Sequence, residues 1–356
     1  MPRALRAMSR MGQKPPETSM SSPPSVPRVP LRVSSVQAGL ITALVLALSF
    51  GAMLALTFSM QNDVIARDRD HQMGAVSQAI TAALDEAGRF ALTQAETTAR
   101  QRAVARALAA GDRAALTELT AAPYAYLKSQ GVPVFGFHAA DMTYLLRLHL
   151  PDKFGDDLTK FRQMVLAANK TRRSQVGLEI GVAGTFVRGI AVINDGDRFV
   201  GTVEAGLNLE PILEQVKTLT NADIAVVLSQ SLAELPPRGP GDKGEQFGDL
   251  IALASTDTPL FTGLLRDGAI RLARTREISP YRIGGETGAI LVQPLIDFSG
   301  RMIGNIAAVK SFPSHGAALQ RTRIELIAAA LIGTVFAFVA FSVLARMLRP
   351  RDEAQA

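Results

Sequence analysis

The run LLRLHLPDKFGDD, residues 145–157, sets Arg147 two positions from His149 and follows them with Asp156 and Asp157. An arginine beside a histidine can grip an anion, and a histidine near carboxylates can move protons. Aspartates ahead of a helix can instead only cap it. If TYLLRLHLP is a strand, its side chains alternate. Leu146, Leu148 and Leu150 then share one face, expected to be buried on a helix. Leu145, Arg147 and His149 share the other, which lines a pocket or is simply wet. Asp156 and Asp157 precede LTKFRQMVLAAN, a predicted amphipathic helix, and capping is the expected role of at least one of them.

Further polar groups follow in GLEIGVAGTFVRG, residues 177–189, with glycines at 177, 181, 184 and 189. These permit turns and close backbone approach but do not form the G-x-G-x-x-G fingerprint of a nucleotide site. Glu179, Arg188 and Glu204 fall on predicted strands near these turns. They either face the same pocket as Arg147 or pair with one another.

The sequence carries no signature of catalysis. The four histidines, at 71, 138, 149 and 315, have no metal-ligand spacing, and there is no nucleophile elbow or P-loop. A metal held by His138 and His149 is conceivable, but a hydrogen-bonding histidine is the commoner case. The chain has no cysteine, which excludes disulfides, thiolate metal sites and cysteine nucleophiles. We therefore expect no enzyme activity and no cofactor.

The elements that must position these groups start at a membrane. Val33 to Asn62 is thirty residues without a charge, and Leu326 to Ala345 is twenty more. Each reaches the roughly 20 residues a helix needs to cross a bilayer. The first is longer than the apolar core of a signal peptide and follows a polar leader, so an uncleaved anchor is expected. The net charge of +6 sits entirely in the flanks: Arg3, Arg6, Arg10, Lys14, Arg28, Arg32, Arg346, Arg349 and Arg351 outweigh Glu17, Asp352 and Glu353. That asymmetry places both termini in the cytoplasm and residues 61–325 in a bacterial periplasm; it is not the clustered basic patch of a nucleic-acid binder.

Along the chain, a Pro- and Ser-rich disordered leader (1–35) is followed by a first span (36–60) and a stalk helix (61–122). Two modules (123–218 and 219–324), a second span (325–346) and a short tail (347–356) complete it. The stalk carries Met73, Val76, Ile80, Leu84 and Ala87 on one helical face and is expected to run to about Ala110, with Gly111 and Asp112 as stop and new cap. After Pro123 the texture turns to short strands: VPVFGFH, TYLLRLHL, TFVRGIAVI and FVGTVEAGL, then ADIAVVLS, AIRLARTREI, GAILVQPLI and RMIGNIAAV. GIAVINDGDRFVGTVEAG and ILVQPLIDFSGRMIGNIAAV echo each other, with Gly201 and Gly304 in matching places 103 residues apart. Such recurrence implies two similar α+β modules on one stalk. A Gly/Pro-rich loop, residues 234–248, interrupts the second.

From Arg147 to Leu207 the sequence RLHLPDKFGDDLTKFRQMVLAANKTRRSQVGLEIGVAGTFVRGIAVINDGDRFVGTVEAGL resembles the double Cache sensor domain of methyl-accepting chemotaxis proteins and sensor kinases. QPLIDFSGRMIG is similar to the end of that family's membrane-proximal module. The resemblance implies two PAS-like modules on a long helix, the membrane-distal one binding a small molecule. The implied ligand-facing residues are Arg147, His149, Glu179, Arg188 and Glu204, with an anionic or carboxylate solute suggested by the arginine and histidine. Family members continue into a HAMP linker and a transmitter, whereas only RMLRPRDEAQA follows the second span here. The expectation is therefore an inner-membrane chemosensory protein that forms a homodimer or works through a separate transmitter. The alternative is a ligand-free adaptor or a truncated receptor.

Overall fold

The computed structural model describes residues 35–181, 184–234 and 244–347. The leader, the terminal tail from residue 348 and most of the Gly/Pro-rich loop lie outside the described residues. The chain divides into two compact units: one combines the N-terminal helix up to Ala52 with the last helix from Ala329, and the other is Met53–Ala328.

Helix α1 (Ser35–Ala99) contains the first apolar stretch and continues beyond it. Within Met53–Ala328 its buried stripe is Met73, Val76, Ile80, Ala83, Ala87, Ala91, Ala95 and Ala99, spaced at three and four as one helical face requires. Leu84, expected on this stripe, is only partly buried. The helix stops at Ala99, ahead of the expected Ala110. Gln101 is extended, and α2 (Arg102–Ala109) sets off in a new direction. The turn keeps Val104, Ala105, Ala107 and Leu108 on the same core as Ala91 and Ala95. Gly111 takes a left-handed φ of 67°, and Asp112 Oδ1 accepts from Ala115 N at 2.9 Å, capping α3 (Arg113–Ser129). Pro123 lies inside α3, and the first strand begins at Val134, within the expected run VPVFGFH.

The first sheet consists of β1 (Val134–Ala139), β2 (Tyr144–Arg147), β3 (Gln175–Gly181), β4 (Gly184–Asp195) and β5 (Arg198–Leu207), in the order β2-β1-β5-β4-β3. Helix α4 (Gln163–Thr171) joins β2 to β3. After α5 (Leu209–Thr220), the second sheet comprises β6 (Asp223–Ser229), β7 (Glu245–Phe247), β8 (Leu250–Ser255), β9 (Glu277–Ile283), β10 (Glu286–Ile296) and β11 (Met302–Ser311), in the order β7-β8-β6-β11-β10-β9. Helix α6 (Thr258–Arg266) precedes β9, and α7 (Pro313–Met347) carries the second apolar stretch. Apart from the extra edge strand β7, the two sheets have one topology, and every neighbouring pair is antiparallel. This is an α+β fold of two PAS-like modules on a long N-terminal helix.

One face of each sheet packs on α1. Met73 to Ala87 share a core with α5 and with the second sheet's Ile224, Val226, Ile306 and Ala308. Ala91 to Ala99 share one with Phe135, Phe137, Ala191, Val203 and Ala205 of the first. Helix and sheet approach closely at Gly189, where a Cβ would lie 2.1 Å from Leu92 N; only glycine fits there.

AIRLARTREI, read from sequence as a strand, is mostly a loop, and β9 begins at Glu277. The segment bonds a side chain instead of a ladder. Asn305 Oδ1 accepts from Ala273 N (3.0 Å), and its Nδ2 donates to Ala273 O (2.7 Å).

Candidate functional site

The site lies on the face of the first sheet turned away from α1. Pairing puts Gly136 opposite both Glu204 and Arg147, Arg188 opposite Gly206 and Glu179 opposite Phe186. Directly opposed residues share a face, so Glu179, Arg188, Glu204 and Arg147 all project to one side.

Tyr144 joins them because β2 carries a bulge. The register shifts between Phe137 and His138, with Leu146 opposite Phe137 and Tyr144 opposite His138. Leu145 is the extra residue, and such an insertion reverses the alternation. Leu146 thus belongs to the α1-side core, while Tyr144 and Arg147, three apart, face the site together. The simple alternation expected of TYLLRLHLP holds for Leu146. Leu148, half-buried, packs on that core too, but so does Leu145, expected on the other face, and Leu150, past the end of the strand, is exposed. Gly136 makes room for the arrangement: a Cβ there would meet the Tyr144 hydroxyl at 2.4 Å.

Glu204, fully buried, is the centre. Its Oε1 accepts from the Tyr144 hydroxyl, and its Oε2 from Arg162 Nη2 and from Arg188 Nη1, the last at 3.0 Å. Glu179 accepts from Arg162 Nε at 2.8 Å and from Met164 N at 2.8 Å. The sequence alternatives for Glu179, Arg188 and Glu204 are therefore both realised: they share one face, and they pair through arginines. All three, with Arg162, are at least nine-tenths buried.

Glu179 also corrects the expected cap. Helix α4 starts at Gln163, well after the aspartates, and its N-cap, Arg162, makes no side-chain cap bond. The free amide of Met164 is met by Glu179 from across the sheet. Asp157 holds a turn, accepting from Thr159 N at 2.9 Å, and Asp156 pairs with Arg147 Nη2 at 2.6 Å. Leu158 and Met164 are both buried, which extends the helical apolar pattern through a non-helical turn and hides the true start.

Arg147 is fully engaged. Besides Asp156 it donates from Nη1 to Lys153 O (2.8 Å), and its guanidinium stacks 3.6 Å from the centre of the Tyr144 ring. His149 stands at the strand end, its Nδ1 3.4 Å from Phe135 N and 3.2 Å from Phe135 O. His138 is buried inside, with Nδ1 2.9 Å from Thr202 Oγ1 and Nε2 3.6 Å from Glu204 Oε1. The two histidines thus have separate duties, and among the described residues no group of three or more acidic or histidine side chains could hold a metal.

Among the described residues, two buried polar atoms of the cluster have no hydrogen-bond partner: His138 Nε2 and Arg188 Nε. Arg188 also lines a cavity of about 20 Å³ with Val134, Tyr144, Arg147, His149, Phe161, Arg162 and Glu204, room for one water.

Burial drives the titrations. It lowers the pKa of His138, outweighing the pull of Glu204, and that of His149, outweighing the Phe135 carbonyl. Burial would raise Glu204, but Arg162 and Arg188 hold its carboxyl well below the usual range. Burial and the Glu204 charge push the Tyr144 hydroxyl far up. At pH 7 Glu204 is therefore a carboxylate, and His138 and His149 are neutral.

The second module repeats the frame without the charges. Its β8 bulges at Leu253 as β2 does at Leu145, with Val227 opposite Ala252 and Ala225 opposite Ser255. By register, His138, Tyr144, Arg188 and Glu204 correspond to Val227, Ala252, Ile290 and Ala307. There the face is filled by Phe261, Leu264 and Leu265 of α6.

A family model described as the double sensory domain of two-component sensor kinase matches residues 68–311. The chain belongs to this family. Among solved structures it is similar to the periplasmic domain of Vibrio cholerae LuxQ (13% identity, TM-score 0.40, covering 67% of this chain and 99% of that one). It is also similar to the sensor domain of the V. cholerae histidine kinase DctB (10%, 0.42, 71% and 99%). A third is the ligand-binding domain of the Campylobacter jejuni chemoreceptor Tlp3 in complex with L-valine (10%, 0.43, 71% and 95%). No curated protein sequence matches the chain.

Of the residues expected from sequence, the structure gathers Glu179, Arg188 and Glu204 at the centre, with Arg147 at the rim and His149 tied to backbone. Tyr144 and Arg162 belong to the site but are not evident from sequence: the first is hidden by the bulge, the second by the misplaced helix start.

Proposed function

We propose that the chain is a two-pass inner-membrane sensor whose first, membrane-distal module binds a small polar solute on the Glu204 face. The observation that carries this reading is the contrast between the modules. On the same frame, one face buries five charged side chains, Arg147, Arg162, Glu179, Arg188 and Glu204, whereas among the described residues the other buries none and has Asn305 as a buried polar group. Buried charge costs stability unless fully paired, so a cluster kept in only one of two equivalent places supports a role in recognition. The candidate contacts are Arg147, His149, Glu179, Arg188 and Glu204, joined by Tyr144 and Arg162. Two helices long and apolar enough to cross a membrane flank the domain, and the arginine-rich flanks support cytoplasmic termini. A periplasmic domain with this layout would pass its state inward through α1 and α7 to a signalling partner, for instance in chemotaxis. The solute can shift that equilibrium only by its differential affinity for the two states.

The anionic or carboxylate solute suggested by the sequence would have to reach Arg147 after Asp156 lets go. A cavity of only about 20 Å³ suits the ligand-free adaptor reading. Both are decided by thermal unfolding of the full chain in nanodiscs against a panel of organic acids, amino acids and amines. A saturable upward shift by a solute, lost in Arg188→Ala, supports the sensor; no shift across the panel supports the adaptor.

A further inference from the structure

The charged centre has one member that the sheet does not supply. Tyr144, Glu179, Arg188 and Glu204 come from ladder-bonded strands, whereas Arg162 enters from the end of the loop between β2 and α4. Its guanidinium lies between the two carboxylates, with Nε on Glu179 Oε2 at 2.8 Å and Nη1 and Nη2 on Glu204.

The loop it ends is held up to Leu158 by backbone bonds, with Tyr144 N on Asp156 O, Gly155 N on Tyr144 O and Leu158 N on Met142 O, and by Arg113 on Pro151 O. Arg147 holds Asp156 and Lys153, and Arg162 holds the carboxylates. Leu158 is fully buried, but Thr159, Lys160 and Phe161 after it are exposed, Phe161 at 40%, so little apolar burial holds this last turn before α4. Along the path into the site lies the one-water cavity, and Phe161 lines both cavity and loop.

Withdrawing Arg162 while Arg147 keeps Asp156 would leave Arg188 as the cation within 4 Å of Glu179 and Glu204, a buried net charge of −1 with the carboxylate oxygens short of donors. An anion entering that space would meet two carboxylates in a dry setting, which is strongly unfavourable. A compact cation with several N–H donors would restore both charge and hydrogen bonds. We propose that Arg162 is a tethered stand-in for the solute's cationic group, and that a guanidino compound or primary amine binds by displacing it and freeing the turn 159–162. This rests on the sensory reading of the same face. Because the plug is covalently attached at high effective concentration, free cations compete poorly with it unless the rest of the solute adds contacts.

The test is chemical rescue of Arg162→Ala in the full chain. Thermal unfolding is followed in nanodiscs with millimolar methylguanidinium chloride, methylammonium chloride, sodium acetate or sodium chloride. The expected result is a lowered Tm for the variant that methylguanidinium raises saturably by a few degrees, methylammonium less so, and acetate or sodium chloride not at all, with the wild type unresponsive to all four. Rescue by acetate, rescue by none, or a variant as stable as wild type would overturn the proposal. If Arg162→Ala does not fold, Arg162→Gln, which keeps amide donors in the space, takes the same titration: saturable rescue by methylguanidinium supports the proposal, and rescue by acetate or by none overturns it. Rescue by methylguanidinium without any wild-type ligand in the solute panel would leave the cation site standing and remove the sensory reading. A wild-type ligand without cation rescue would do the reverse.

Discussion

Replacing Glu204 by glutamine changes almost nothing in shape and removes one charge from the middle of the first module. In the structure Glu204 accepts from the Tyr144 hydroxyl, Arg162 and Arg188, and is 1% exposed. Glutamine offers one acceptor oxygen and turns an amide donor toward the guanidiniums, so two buried arginines are left with Glu179 alone. Arg188 Nε is 3.9 Å from Glu179 Oε2, too far for a hydrogen bond. Breaking one side of a buried ion pair costs about 3–5 kcal/mol. For a domain of this size each kcal/mol moves Tm by about 2–4 °C, so the variant should melt roughly 6–20 °C lower. The chain has no tryptophan, so far-ultraviolet circular dichroism is the readout. The paired change Glu204→Leu with Arg162→Met should recover much of the loss, because removing both partners is often close to neutral. A Glu204→Gln Tm within about 2 °C of wild type, under 1 kcal/mol on the same scale, would mean that the cluster is open to water and that buried charge does not set the first module apart.

Three more outcomes are expected. Gly189→Ala pushes a methyl into the α1 backbone at Leu92 and should cost about 1–3 kcal/mol or more, visible as a lower urea midpoint. Asp112→Ala removes a real cap and should cost about 0.5–2 kcal/mol. Asp157→Ala, in an exposed turn, should cost less than about 0.5 kcal/mol; equal effects would restore Asp157 as the cap of α4. With pH, His138 and His149 have folded pKa values below the ordinary 6.5, so the unfolded chain takes up their protons first and stability falls as pH drops below about 6.5. Glu204, held below 4.5, adds a second loss as pH falls under that value. His138→Gln should flatten the first arm and leave the second, and a Tm that rises on acidification would contradict both assignments.

Much of the frame was legible because it follows from periodicity. The α1 stripe, the strand-turn-strand echo around Gly201 and Gly304, and the Gly111–Asp112 turn all express spacing rules that single residues cannot easily override. The chain was harder to read where tertiary contacts replaced local ones. Met164 N is capped by Glu179 from another element, so Asp156 and Asp157 looked like the cap. Ala273 bonds the side chain of Asn305, so an apolar run looked like a strand. One inserted residue, Leu145, moved Tyr144 onto the site face against the alternation. The types of Glu179, Arg188 and Glu204 marked them as a group, but Arg162, their common partner, lay inside an apparent amphipathic helix. The ion-pair network is set by the fold, and sequence spacing alone does not specify it.

The most direct test of the first module as the sensor is hydrogen exchange on the full chain in nanodiscs, with and without the pooled panel of amines, amino acids and organic acids. Slower exchange in residues 144–164, 175–188 and 198–207, with residues 258–296 unchanged, is the predicted result. Protection confined to 258–296, or none anywhere, would contradict that assignment.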